Sequence, residues 1–325
     1  MLRKLYVLLG GCLLSLQAFG QQDPQFSFFM FTPTYLNPAA VGSEGVTRIQ
    51  LIHRSQWAGY QAPNSPGGGS PTTQLLTVDL PLAKINSGVG IYAFNDNIGP
   101  QSSQSLQLAY AYRLPLKNGT LGIGVQAGLY NKRIDYSGII LPTTGPDDLV
   151  PTGQYSQFQP DFSAGLYYST VDYWLGASLY HINTPSFKLG TQRGINPLDQ
   201  AAYFSAGYKL GLTYSLDLQP SILFKYFQGS GVQDTKSPSS LDLNLLATYD
   251  SQYSVGISYR TQESITALAT ANVLNNKARV GFAYDIVTFG QYAKRPGSFE
   301  FMLSYVLPAP NSTPKPIVRT PRFRY

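Results

Sequence analysis

Side chains that could catalyse a reaction are few in this sequence. Its two histidines are His53, within a predicted strand, and His181, at the end of another, and no carboxylate lies at ligand spacing from either. Asp147-Asp148 and the Asn95–Asn97 cluster lack the spaced oxygen ligands of a dedicated calcium loop. We therefore expect no enzyme activity, no cofactor and no metal. A Ser-His-carboxylate site, as in a membrane phospholipase, is the alternative.

Other ionisable side chains fall on the polar faces of the predicted strands. We interpret them as a network that rigidifies the wall and anchors the N-terminal segment, and a conduction path is the alternative. Nearly equal numbers of both signs argue against strong ion selectivity. The predicted inward residues are Arg48, Arg54, Arg113, Lys225, Arg260, Arg279, Asp79, Asp161, Asp172, Asp217, Asp242, Asp285 and Glu300.

The elements that position these residues are alternating segments of about ten residues, the length that a tilted strand needs to cross a bilayer. Only 12% of the residues are charged, against about 25% in a soluble domain. The fold class is therefore all-β: a transmembrane outer-membrane β-barrel of about 14 antiparallel strands. The strands are predicted near 46–58, 71–82, 87–96, 103–115, 119–131, 160–169, 171–182, 201–210, 213–228, 240–249, 252–261, 264–273, 277–287 and 298–307.

Long and short connections alternate along the chain, so one end of the barrel carries loops and the other tight turns. In outer-membrane barrels these are the outside and the periplasm, which places both termini in the periplasm. The predicted long loops are 59–70, 132–159, 183–200, 229–239 and 288–297.

The segment before the first strand is aromatic but interrupted by Pro24, Pro33 and Pro38. Proline fixes φ and lacks a backbone donor, so we expect no regular ladder or helix there. Its rings must still be buried. We therefore predict that residues 21–45 plug the lumen, with their backbone groups bonded to the wall.

This opening stretch, DPQFSFFMFTPTYLNPAAVG followed by HRSQWAGY, resembles the signature of the PorP/SprF family of the type IX secretion and gliding machinery. The chain departs from the family pattern at Phe29, Thr32 and His53. The resemblance implies an outer-membrane barrel whose partners are a secreted adhesin, a periplasmic machinery protein, or both. The matching residues assigned to the plug and motif are Asp23, Pro24, Gln25, Phe26, Tyr35, Asn37, Pro38, Arg54, Gln56 and Trp57.

Two other functions compete with this interpretation. The Asn37–Ala40 stretch also resembles the hatch of fourteen-stranded long-chain fatty-acid channels, which implies a transporter of hydrophobic small molecules. The long loops, in turn, carry many large apolar side chains, which either cap the barrel or dock a partner. The loop residues predicted to bind a partner are Leu149, Tyr155, Phe158, Phe187 and Leu189.

The chain ends have their own signals. Residues 1–20 read as a secretory signal peptide, with Arg3 and Lys4 before an apolar core and a small-residue cleavage site. A lipoprotein signal ending at Cys12, the only cysteine, is the alternative. Residues 46–307 form the predicted barrel and 308–325 a Pro-rich basic periplasmic tail. The formal net charge of +6 does not indicate nucleic-acid binding, because the sequence contains no nucleic-acid recognition motif.

Overall fold

The strands close into a barrel. The computed structural model describes residues 23–60, 69–137, 152–190, 195–228, 239–288 and 297–307. Within them the fourteen barrel strands are β1 Thr47–Ser55, β2 Thr72–Leu82, β3 Ser87–Ile98, β4 Gln101–Leu116, β5 Gly119–Asp135, β6 Gln154–Ser169, β7 Tyr173–Tyr180, β10 Gln200–Tyr208, β12 Leu216–Gln228, β13 Ser240–Tyr249, β14 Tyr253–Arg260, β15 Ser264–Val273, β16 Ala278–Val287 and β17 Ser298–Leu307.

Each barrel strand is antiparallel to its neighbours, and the last strand closes on the first. β17 pairs with β1 from Thr47 opposite Leu307 to Ser55 opposite Phe299. β10 joins β7 to β12, because the hairpin β8 (Ser186–Lys188) and β9 (Ile195–Pro197) forms a separate two-stranded sheet. The predicted barrel of about 14 antiparallel strands is confirmed.

Alternation along each strand sorts the two faces of the wall. In β4, Leu106 and Leu108 are 57% and 59% exposed on the outside, while Gln107 between them is 1% exposed. Successive side chains of a strand point to opposite faces, so the outside is an apolar belt and the inside is polar. No helix among the described residues is long and apolar enough to cross a membrane.

Three strands run further than the sequence predicts. β4, β5 and β6 are 16, 17 and 16 residues long, so the predicted loop 132–159 is shortened to the residues between Asp135 and Gln154. Their outer ends carry polar residues on both faces, so the apolar alternation that revealed the other strands is absent there.

Tight turns occupy the other end of the barrel, and left-handed residues build them. Asn86, Asp250 and Asn275 have φ of 50°, 55° and 55°, a conformation in which Asn and Asp are several-fold enriched. The prediction that Asp172 faces the lumen is wrong. This residue is exposed in the turn before β7, where its carbonyl accepts from the Lys209 amide.

The N-terminal residues form three single turns: a 3-10 turn Phe29–Phe31, a short helix α1 Pro33–Leu36 and a 3-10 turn Pro38–Ala40. The expectation of no helix there is therefore wrong. Pro33 and Pro38 each begin a turn, a position at which the missing amide hydrogen costs nothing. The remaining short elements are a 3-10 turn Ala83–Ile85 and the two-residue strand β11 Leu210–Gly211.

Candidate functional site

Residues 23–45, here called the N-terminal segment, lie against the inner wall on several sides of the barrel. Phe28 is fully buried, and the ring of Tyr35 makes edge contacts with Phe26 and Tyr92 at 5.2 and 5.3 Å. The Tyr180 hydroxyl of β7 donates to the Tyr35 carbonyl at 2.7 Å. The aromatic side chains of the segment thus continue the core formed by inward residues of the strands.

One side of the wall holds the segment through a buried ion cluster, here called the arginine cluster: Arg54, Asp285 and Glu300. Arg54 of β1 pairs with Asp285 of β16 and with Glu300 of β17, at 2.5 and 2.9 Å. The Glu300 carboxylate accepts from the backbone amides of Ser27 and Phe28 at 2.7 and 3.0 Å. The Ser27 hydroxyl lies between Arg54 and Asp285, 2.7 and 2.8 Å from them.

The ion network continues into the next strands. Arg260 of β14 pairs with Asp242 of β13, which also lies 3.5 Å from Lys225 of β12. Arg260 in addition donates to the Phe26 carbonyl at 3.3 Å. Charges that are buried are costly unless they are paired, so these groups hold one arrangement of the wall and of the segment together.

The start of the segment is held by a second cluster, here called the histidine cluster: Asp23, Asp161, His181 and Tyr203. His181 lies between two carboxylates, with Nδ1 2.9 Å from Asp161 and Nε2 3.1 Å from Asp23. The Tyr203 hydroxyl donates to Asp23 at 2.6 Å. Sequence spacing places no carboxylate near His181, but the fold supplies two.

The electrostatics of this cluster favour a charged pair. Burial alone would lower the pKa of His181, but the charge of Asp23 and hydrogen bonds to Asp161 and Asp23 raise it to about 10. Burial alone would raise the pKa of Asp23, but His181 and the hydrogen bond from Tyr203 hold it below its usual value. His181 is therefore an imidazolium that binds the Asp23 carboxylate at neutral pH.

The opposite wall receives the Asn37–Ala40 stretch through glycines. The Asn37 side chain caps the turn by accepting from the Ala39 amide at 2.9 Å, and its amide group donates to the carbonyls of Leu166 and Ala177. A Cβ added to Gly124 would lie 2.5 Å from Ala39 Cα, and one added to Gly165 would overlap Asn37 Oδ1. The backbone of the segment thus approaches β5 and β6 more closely than any side chain would allow.

Asp79 of β2 ties down the end of the segment. Its carboxylate accepts from the Thr34 hydroxyl and from the Gly42 amide, both at 2.7 Å. Gly42 has φ of +73°, and a Cβ added to it would lie 2.9 Å from the Cα of Gly88. Only glycine fits this turn, which directs the chain into β1.

Below the segment, at the tight-turn end, a cavity of about 440 Å³ opens, here called the vestibule. Arg279 lines it, with its guanidinium 4.7 Å from the Phe31 ring and Nε bonded to Asn272. Arg48 lines it as well and pairs with Glu44 at 2.6 Å. The vestibule ends at residues of the N-terminal segment, Phe29 to Asn37.

The other motif residues predicted from sequence lie at both ends of this arrangement. The Pro24 carbonyl accepts from the Tyr35 hydroxyl at 2.9 Å, and Gln25 is buried. Gln56 and Trp57 follow β1 at the long-loop end, where the Gln56 amide bonds to Pro71 and the Trp57 ring contacts Tyr60 at 6.2 Å.

The loop residues predicted to bind a partner are dispersed. Phe187 and Leu189 are 0% and 3% exposed, and Phe187 packs against Tyr130 at 5.9 Å with Lys132 above its ring. Tyr155 is partly buried in β6, and Phe158, also in β6, points outward and is 63% exposed. Leu149 lies outside the described residues.

Sequence reasoning found the inward charges but missed the contacts of Tyr203 and His181. Alternation alone places Tyr203 on the inner face of β10, but the 180 positions that separate it from Asp23 carry no signal of contact. Within the described part of the chain, no group of three or more His, Cys, Asp or Glu side chains could hold a metal ion.

Comparisons with known proteins find similar solved structures and one matching family model. The toluene transporter TbuX of Ralstonia pickettii is similar at TM-score 0.50 and 13% identity, over 85% of this chain and 93% of that one. The toluene transporter TodX of Pseudomonas putida follows at TM-score 0.47 and 11% identity, over 84% and 92%. None of the curated proteins matches the sequence. A family model described as type IX secretion system membrane protein PorP/SprF matches residues 18–305.

Proposed function

The chain belongs to the PorP/SprF family of type IX secretion system membrane proteins, and we propose that it is a closed docking barrel rather than a pore. It is a β-barrel of the outer membrane. In this proposal it binds a secreted surface protein, an adhesin, at the long-loop end and a periplasmic machinery protein at the tight-turn end. It performs no chemistry on either.

The anchoring of the N-terminal segment carries this proposal. Glu300 of β17 and Asp79 of β2 bind the segment from two parts of the wall. The segment's own Asp23 is bound by His181 and Tyr203 from a third part. Each of these three carboxylates is at least nine-tenths buried. Replacing so many buried charged contacts at once is costly, so a segment that leaves the lumen during each transport cycle is disfavoured. A fixed segment suits a protein that works through its two end surfaces.

At the long-loop end we assign the secreted partner to the outer face of the hairpin β8–β9. Phe187 and Leu189 face inward as a cap, so they support this surface rather than contact the partner. Ser186 and Lys188 alternate with them and are exposed. In this proposal the polar residues Ser186 and Lys188 contact the partner, and the buried apolar side chains of Phe187 and Leu189 hold them in place.

At the tight-turn end we assign the periplasmic partner to the turns around the vestibule. Three lysines, Lys84, Lys117 and Lys277, are exposed in three of the tight turns. A partner with an acidic surface would be steered toward them. Residues 308–325 carry four further basic residues and lie outside the described part of the chain.

The test is copurification after crosslinking in cells that express tagged variants. Reversing Lys84, Lys117 and Lys277 to Glu should remove the periplasmic partner and leave the adhesin bound. Reversing Arg133 and Lys188 to Glu, both exposed at the long-loop end, should do the opposite and serves as the control for charge reversal at the other end. If both sets retain every partner while the barrel folds normally, the proposed surfaces are wrong.

The alternative, a hatch-gated transporter of hydrophobic small molecules, makes a different prediction for the same protein. A transporter would show a steady conductance in planar bilayers, or would take up a hydrophobic substrate into vesicles. The docking barrel should be closed in both assays. A steady conductance of the intact chain would favour the transporter.

A further inference from the structure

The outer face of the barrel has a shallow groove where two alanines are surrounded by large side chains. Ala177 of β7 points outward between its paired neighbours Leu166 and Phe204. On the next strand, Ala206 points outward between Leu175 and Ile222. Because the two alanines lie on adjacent strands and in adjacent rows, their missing side-chain volume joins into one diagonal groove.

This groove is a cavity of about 460 Å³ open to the outside, within the range of about 300–1,000 Å³ typical of ligand sites. No Asp, Glu, Lys, Arg or His side chain lines it, and its only polar side chains are Ser205 and Tyr168. The chemistry that fits such a lining is hydrocarbon. Its large walls are Leu121, Leu166, Leu175, Phe204, Ile222 and Phe224.

The groove has a defined position in the membrane. Tyr168, which lines it, contacts Tyr173 at 5.9 Å, and Tyr173 stacks on Tyr208 at 6.4 Å. All three lie at the tight-turn ends of their strands, where tyrosines mark the boundary between headgroups and acyl chains. From there the groove rises to Phe204 and Phe224, which lie in mid-strand.

The wall behind the groove is thin. Ser205, Ala206 and Ile222 line both the groove outside and the vestibule inside. On the inner side, the Asn37 amide bonds to the carbonyls of Leu166 and Ala177 at 2.8 and 3.2 Å. An empty groove would leave this one-residue-thick part of the wall without packing on its outer side.

We propose that the groove binds one acyl chain of a phospholipid from the leaflet on the tight-turn side. The chain enters between the tyrosines, lies over Ala177 and Ala206, and ends near Phe204 and Phe224. Its methylene groups fill the volume that the two alanines leave and complete the wall at its thinnest point. A flat strand face of a second copy could cover the groove but could not fill it.

The test uses the full-length barrel in vesicles of phosphatidylethanolamine that carries a diazirine near the end of one chain. After illumination, adducts mapped by mass spectrometry should concentrate several-fold on peptides of β7 and β10 relative to other lipid-facing strands. The Ala177→Phe, Ala206→Phe double variant fills the groove and should lose this excess. Ala93→Phe is the matched control, because Ala93 of β3 points outward between Leu76 and Leu106 and no outward alanine lies beside it on β2 or β4.

Each other outcome decides against the proposal. Adducts spread evenly along the apolar belt would mean annular lipid only. Crosslinks between two copies at β7 and β10 would mean that the occupant is a second barrel. If the double variant does not fold, Ala206→Leu alone blocks the middle of the groove, and unchanged labelling of that folded variant would overturn the proposal.

Discussion

Two sides of the barrel wall hold the N-terminal segment by different interactions, one by ion pairs and the other by close packing against glycines. On the side of β1, β16 and β17, the segment is bound by charge, through Arg54, Asp285 and Glu300. On the side of β5, β6 and β7, it is bound by shape, because glycines let Asn37 and Ala39 touch the strand backbone. The charged side fixes the segment strongly but only in one protonation state. The glycine side is insensitive to charge and tolerates no added atom.

The largest expected effect is on the charged side. Arg54→Met would leave two buried carboxylates without their cation, and breaking a buried pair in this way costs about 3–5 kcal/mol. We expect the free energy of unfolding in detergent to fall by a large amount. The measurement is the temperature at which the folded barrel changes to the gel mobility of the unfolded chain, which should be lower in the variant. Arg48→Met is the control, since its pair with Glu44 is partly exposed and such pairs contribute about 0–1 kcal/mol. If Arg54→Met and Arg48→Met lower the stability equally, the arginine cluster does not contribute more than a partly exposed ion pair.

The next largest effect is on the glycine side. Gly124→Ala would place a methyl group 2.5 Å from Ala39 Cα, and overpacking of this kind costs about 1–3 kcal/mol. Gly211→Ala is the control, because the nearest atom to its added Cβ is 3.7 Å away. We expect Gly124→Ala to lower the unfolding midpoint and to expose residues 23–45 to protease, with no change for Gly211→Ala. A stable, protected Gly124→Ala barrel would contradict the close approach.

How much of this could be predicted from sequence differs between the two sides. Alternation along β1, β16 and β17 places Arg54, Asp285 and Glu300 on the inner face, so the charged side was foreseen as a wall network that anchors the segment. The glycine side was not, because Gly124 and Gly165 look like ordinary small inward residues until a chain is placed against them. The position of His181 between two carboxylates was missed for a related reason, as period-2 alternation gives the face of a residue but not its neighbour across the lumen. The short helical turns of the segment are not predicted by the proline pattern, because a proline that interrupts a helix and a proline that begins one give the same signal in sequence.

The smallest effect at neutral pH, and the one that depends most on conditions, concerns the histidine cluster. The pKa of His181 is raised from 6.5 to about 10, so its stabilisation is complete below pH 6.5 and is lost as the pH rises toward 10. The pKa of Asp23 is lowered from 3.8, so its stabilisation is complete above that pH and is lost in acid. The start of the segment should therefore be held most firmly between about pH 4 and 6.5.

His181→Gln separates this contribution from the other groups that titrate in alkali. The glutamine amide can still donate to Asp23 but carries no charge at any pH. The unfolding midpoint in detergent should fall by a few degrees more between pH 6.5 and 10 in the unsubstituted protein than in the variant. Below pH 6.5 the two profiles should run parallel. Parallel profiles over the whole range would show that His181 is neutral in the folded barrel, and the start of the segment would then be held by the Tyr203 hydroxyl and by shape, as on the glycine side.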